Sequence, residues 1–137
     1  MKATVSGAVR YLWAAPITAV ALTAVPLALA SGGKARIVRG VLEVYGGMLR
    51  PLLRRGIPGF PIGAITLGHV VLASSERELT LSRAHERVHV RQYERWGLLF
   101  PLLYVASSAV ALGSGRGAYG GNAFEREAFR ADVLTDA

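Results

Sequence analysis

Residues 75–97 read SERELTLSRAHERVHVRQYERWG, and this stretch decides the fold. Ser75 and Glu78 form a capping box, which is typical of a helix start. No Gly or Pro follows until Gly97, so we predict a helix over residues 76–96. Nine of its residues are charged, which excludes a lipid-exposed membrane span.

The predicted helix contains an HExxH motif, His85-Glu86-Arg87-Val88-His89. Residues four apart share a helix face, so both imidazoles can bind one metal ion. Glu86 lies about 100° round the helix from His85, so it can reach a metal-bound water without being a ligand itself. Zn²⁺ lowers the pKa of a bound water to about 7, and a carboxylate then accepts its proton. The motif predicts a zinc site with Glu86 as catalytic base; the alternative is two histidines on an exposed charged helix.

A zinc site of this kind needs a third protein ligand. The best candidates are Glu125 and Glu127, on a predicted last helix, because a carboxylate would complete a His₂Glu set. His69 is the remaining histidine, and we expect it to be an ordinary strand residue. Gln92 and Tyr93 follow His89 by three and four residues, so they are candidates to support the ligands.

The rest of the chain predicts an α+β fold. Residues 34–45 alternate around Gly40, which indicates a two-stranded hairpin, and residues 64–73 indicate a third strand. We expect a small antiparallel three-stranded sheet. Residues 46–62 form either an irregular loop or one short basic helix at a membrane surface.

Two further helices are predicted after the HExxH helix. Residues 98–112 are mostly apolar, with Pro101 suited to a first helical turn. They span roughly 22 Å, which is short for a bilayer. If they crossed it, the histidines and Glu125 would lie on opposite sides, so we predict an apolar hairpin helix that folds back. Asn122 caps the last helix, which should run to about Leu134.

The N-terminal region predicts a membrane helix. Tyr11–Ala30 has no charge, and twenty helical residues reach roughly 30 Å, about one hydrocarbon core. Retention as an anchor and cleavage as a signal peptide after Ala30 are both open. We divide the chain into residues 1–33, the anchor or signal segment, and residues 34–137, a minimal zincin-like metal-binding domain.

The amino-acid composition excludes several classes of protein. The 137 residues fit one domain, and the absence of Cys excludes thiol catalysis and Cys-based zinc ribbons. A net charge of +7 with 52% hydrophobic residues fits an anionic membrane surface better than a nucleic acid, so we expect no nucleic-acid partner. Basic residues after the first apolar stretch favour a cytoplasmic catalytic side, whereas a cleaved signal would make the protein secreted.

Residues 64–97 together with NAFEREA at 122–128 resemble the gluzincin branch of zinc metallopeptidases. The similarity is greatest to the membrane-associated group of CAAX-prenyl endopeptidases and heat-shock membrane proteases, whose HExxH helix is followed by an E-x-E-A-like motif. The resemblance implies that His85, His89 and Glu125 bind zinc and that Glu86 is the base. Glu127 matches the second Glu of that motif. The H-E-x-x-H-x-x-Q form is also similar to small bacterial HExxH membrane proteins of undefined function.

The chain departs from that group in two ways. Phe129 follows Ala128 where the motif has Asp, and Asp132 comes three residues later. The chain is also far smaller. Two functions therefore stay open: a membrane-bound zinc metallopeptidase acting on a peptide or protein, and a non-catalytic zinc-binding membrane protein with a structural or regulatory role.

Overall fold

The computed structural model describes residues 2–56 and 62–136 of an α+β protein. A mixed four-stranded sheet lies among six α-helices and one short 3₁₀ turn. In chain order the elements are α1 (Lys2–Leu22), α2 (Val25–Ala30), β1 (Lys34–Val38), β2 (Val41–Tyr45), α3 (Leu49–Arg55), β3 (Ala64–Leu67), β4 (Val70–Ala73), α4 (Glu76–Trp96), the 3₁₀ turn (Gly97–Leu99), α5 (Phe100–Gly113) and α6 (Ala123–Asp136).

The sheet corrects the prediction of three antiparallel strands. Residues 64–73 are two strands, β3 and β4, joined at Gly68 and His69, and the strand order is β1-β2-β4-β3. Gly68 has φ +63°, a conformation that suits a tight hairpin turn. β2 and β4 pair in parallel, so the sheet is mixed. β4 is buried along its whole length, and its continuous apolar run concealed the turn beside it.

Side chains on the two sheet faces build two cores. Alternate residues such as Val44 and Leu72 pack with Leu49 and Leu53 of α3 and with small residues of α1 and α2. On the opposite face, residues such as Val71 pack against α4. The sheet therefore separates α4 from α2 and α3, and the predicted short helix in residues 46–62 is confirmed by α3.

The predicted helix over residues 76–96 is confirmed by α4. The Ser75 hydroxyl accepts the backbone N–H of Glu78 at 3.2 Å, and Gly97 ends the helix with φ +56°. A side chain at Gly97 would collide with the indole of Trp13, so α1 is packed closely against this helix end. α5 and α6 confirm the two C-terminal helices, and α6 extends two residues past the predicted end.

The N-terminal apolar stretch is two helices rather than one bent helix. α1 starts at Lys2, earlier than predicted, and a turn at Thr23 and Ala24 separates it from α2. In the described part of the chain, residues 7–30 and 76–113 are two helical stretches that are long and apolar enough to cross a membrane, by length and composition alone. The division at residue 33 stays a prediction, while α1 packs on α4 and on the 3₁₀ turn.

Candidate metal site

α4 places the two histidines of the motif side by side. His85 and His89 are both buried, and their rings meet edge to face with centroids 5.0 Å apart. The four-residue spacing puts them one helical turn apart on the face that α6 covers. The two imidazoles are therefore placed so that both can contact the same group.

α6 supplies that partner, Glu125. His85 Nε2 lies 2.9 Å from Glu125 Oε2, and His89 Nε2 lies 3.3 Å from Glu125 Oε1. One donor atom from each of the three residues lies within 4.8 Å of the other two. Zinc bonds of about 2.0–2.1 Å in a tetrahedral site put donors roughly 3.3 Å apart, so a small inward shift would let this set hold one metal ion.

The start of α6 explains how Glu125 reaches the histidines. Asn122 is fully buried, and its side-chain oxygen accepts the N–H of Phe124 at 2.9 Å. The Asn122 amide also donates to the Tyr104 carbonyl and the Ser108 hydroxyl of α5. The predicted cap therefore also fixes α6 to α5. By fixing the start of α6 to α5, Asn122 directs the chain after α5 back to α4.

A further hydrogen bond orients each imidazole. His85 Nδ1 donates to Asp132 Oδ2 at 3.0 Å, and His89 Nδ1 donates to Gln92 Oε1 at 2.8 Å. Gln92 Nε2 donates to the Phe124 carbonyl at 3.1 Å, which fixes which amide atom faces His89. With a proton held on Nδ1, each Nε2 is the nitrogen left for a metal.

Glu86 lies beside this set without belonging to it. Thr66 of β3 donates to Glu86 Oε2 at 2.6 Å, and the Glu86 carboxylate is buried. Burial raises the pKa of Glu86, opposed by the Thr66 hydrogen bond and by the charges of His89 and His85. A carboxyl group with a raised pKa accepts protons more readily near neutral pH, as a general base must.

The negative charge of Glu125 and the two imidazoles stabilise each other. Burial alone would raise the pKa of Glu125, but hydrogen bonds from His85 and His89 outweigh it and hold that pKa well below its usual range. Burial would lower the pKa of both histidines, but hydrogen bonds to Glu125 raise it. Glu125 therefore stays ionised, and the Tyr104 hydroxyl donates to its Oε1 at 2.7 Å.

The other candidates lie elsewhere. Glu127 is exposed on α6 and stands outside the three-donor set. His69 is buried, stacks on Tyr11 and bonds to Glu94 Oε1 at 3.0 Å. Tyr93, expected near the ligands, packs instead in an aromatic cluster, where its ring centroid is 4.5 Å from that of Phe100.

Sequence reasoning missed Thr66, Tyr104 and Asp132, each of which hydrogen-bonds to a residue of the site. Asp132 had a local signal, because it follows Glu125 by seven residues, two helical turns, and so shares its face. Phe129 occupies the intervening turn, and its ring packs edge to face on His85. Thr66 and Tyr104 reach the site from other elements, so no spacing along the chain indicates them.

Comparison of the chain with protein-family models, with curated proteins and with solved structures finds no match. Any function must therefore be argued from the chemistry of these residues.

Proposed function

We propose that this protein is a membrane-associated zinc metallopeptidase with Glu86 as its general base. One observation carries the proposal: the donor atoms of His85, His89 and Glu125 converge within 4.8 Å, with the Glu86 carboxylate beside them. His₂Glu is a donor set typical of catalytic zinc, because it leaves one position open.

His85, His89 and Glu125 would hold the zinc ion. When bound, zinc supplies Lewis acidity and lowers the pKa of a water that it binds to about 7. Glu86 accepts the proton of the attacking water and passes it to the leaving amine of the peptide. Thr66 holds the Glu86 carboxylate in place for both transfers.

A buried base favours catalysis over a structural role for the metal. A structural zinc site is closed by four protein ligands and needs no carboxylate beside it. The described residues supply three donors to this cluster. This count and the position of Glu86 support a hydrolase acting on a peptide or protein.

Exposed apolar side chains support a location at the membrane. Leu12 of α1 is 72% exposed and Leu102 of α5 is 70% exposed. The two helices meet at the 3₁₀ turn, where Trp13 packs on Gly97. Single exposed apolar residues are ordinary, but apolar surface continued over two helices marks an interaction site. In our proposal α1 and α2 anchor the protein, and α5 inserts partly into the same membrane without crossing it.

Replacement of the base tests the activity. Glu86→Gln keeps size and hydrogen bonding but removes the proton acceptor, so peptide cleavage should fall by about 10²–10⁴-fold with zinc content unchanged. Glu127→Gln is the matched control, because it makes the same change on the exposed face of α6. Both rates are measured on a peptide library with protein of known zinc content.

Two results would count against the proposal. An unchanged cleavage rate in Glu86→Gln would mean that another group performs the chemistry. A wild-type protein that binds zinc tightly but cleaves nothing in the library would favour the non-catalytic, structural or regulatory function.

A further inference from the structure

A polar cavity lies at the opposite end of α4 from Gly97. Its volume is about 440 Å³, and it opens between α3 and the first turn of α4. Its polar lining consists of two serines, three arginines and one glutamate: Ser74, Ser75, Arg50, Arg54, Arg77 and Glu78. None of these residues belongs to the candidate metal site.

The cavity lining has an excess of positive charge, with three arginines against one glutamate. Arg50 and Arg54 are four residues apart on α3 and so share one face, and Arg77 faces them from α4. Within residues 2–56 and 62–136, none of the three forms an ion pair with a carboxylate. Glu78 is the one acid in the lining, and its carboxylate lies against the backbone of Gly63.

Ser74 points independently to a bound ligand. The residue is only 5% exposed and lines the cavity, and its backbone N–H donates to the Gly63 carbonyl at 2.9 Å. Among the described residues its hydroxyl has no hydrogen-bond partner. The hydroxyl oxygen is not sealed from the cavity, so it can form a hydrogen bond to a polar ligand there.

The first turn of α4 adds donors of the same kind. The N–H groups of a helix start have no partner within the helix, and the Ser75 hydroxyl satisfies that of Glu78. The N–H groups of Glu76 and Arg77 are left, at the positive end of a 21-residue helix. Backbone donors at a helix start, together with arginines, form a common anion site.

We propose that this cavity binds a phosphate group through Arg50, Arg54, Arg77 and the Ser74 hydroxyl. The phosphate belongs either to a phospholipid headgroup or to a free phosphate compound. The headgroup is supported by the packing of α3, whose Leu49 and Leu53 share a core with Ala28 of the apolar α2. This site is independent of the proposed peptidase activity.

Inorganic phosphate is the first probe. Phosphate should raise the thermal unfolding temperature of the full-length protein in neutral detergent, relative to chloride at equal ionic strength. Arg54→Gln and Ser74→Ala should each bind phosphate about tenfold more weakly, since each loses a hydrogen bond to a charged group. Arg55→Gln is the matched control, because it makes the same charge change one residue away without lining the cavity.

Vesicles are the second probe and identify the source of the phosphate. Phosphatidylcholine vesicles with and without phosphatidylglycerol are compared for binding of Arg54→Gln and Arg55→Gln. Weaker binding of Arg54→Gln alone, and only to the anionic vesicles, assigns a lipid headgroup. Equal vesicle binding of both variants, with phosphate protection lost only in Arg54→Gln, assigns a free phosphate compound.

The proposal is overturned if Arg54→Gln and Arg55→Gln behave alike with both probes, because the arginines then act only as diffuse surface charge. Arg77→Gln, from the other wall of the cavity, repeats the comparison if Ser74→Ala does not fold. Peptide cleavage does not enter either assay, so failure here leaves the proposed peptidase untouched.

Discussion

Asp132 and Gln92 each fix one imidazole of the candidate metal site. Hydrogen bonds at 3.0 Å and 2.8 Å hold the Nδ1 protons and leave both Nε2 atoms facing Glu125. A ligand whose orientation is fixed in advance loses less freedom when it binds a metal. In the proposed zinc site, the affinity for the ion would therefore depend on residues that never touch it.

Asp132→Ala should weaken zinc binding about 10–100-fold, the usual effect of removing a partner of a ligating histidine. Competition titration with a chromophoric chelator measures the affinity. Glu127→Ala, on the same helix and exposed, should leave it unchanged. Equal affinity in the two variants would mean that Asp132 does not orient His85.

The ligands themselves could be predicted at this scale because their spacing is local. His85 and His89 share a helix face, and Glu125 lies in the one acidic motif on the last helix. Asp132 is two turns further along that helix, and the resemblance directed attention to position 129 instead. Thr66 lies 20 residues before Glu86, and only the packing of β3 on α4 joins them.

At the scale of the elements, Asn122 connects α5 to α6. It caps α6 and donates to two acceptors on α5, and it is fully buried. The loop before it is rich in glycine. Without Asn122, the helix that carries Glu125 would lose its fixed start.

Asn122→Ala should destabilise the protein by about 1–3 kcal/mol, because a cap and two buried hydrogen bonds are lost. Chemical unfolding followed by circular dichroism measures the free energy of unfolding in the metal-free protein. Ser114→Ala, in the exposed part of the same loop, should change it little. A loss below about 0.5 kcal/mol, which is typical of surface positions, would contradict the role assigned to Asn122.

The elements show where sequence patterns are informative. Caps and glycines around α4 are local signals, and they gave its ends correctly. The run from Ala64 to Ala73 is mostly apolar and contains no Pro, Asn or Asp, so it was predicted as one strand although Gly68 turns it. The parallel pairing of β2 with β4 joins segments about 28 residues apart, and no local pattern specifies such a contact.

For the whole molecule, the site restricts how the chain meets a membrane. Glu125 contacts His85, so the middle of α4 and the start of α6 lie on the same side of any bilayer. α5 is 14 residues long, about 21 Å, which is short for crossing the hydrocarbon core of a bilayer. In the proposed function, its apolar surface lies in the membrane interface.

Single cysteines at positions 84 and 118 should react with an impermeant thiol reagent from the same side of sealed vesicles. The chain has no cysteine of its own, so each label reports one position. Labelling before and after the vesicles are opened measures sidedness. Reaction from opposite sides would mean that α5 crosses the bilayer and would contradict the shared site.

Zinc content is the most direct test of the central claim that His85, His89 and Glu125 bind one metal ion. The wild-type protein and Glu127→Ala should each retain stoichiometric zinc after dialysis, measured by atomic emission against protein concentration. His85→Ala, His89→Ala and Glu125→Ala should each lose it, because each removes one of the three donors. Equal zinc in Glu125→Ala and Glu127→Ala would contradict the account, and the third ligand would have to be sought elsewhere, first at His69.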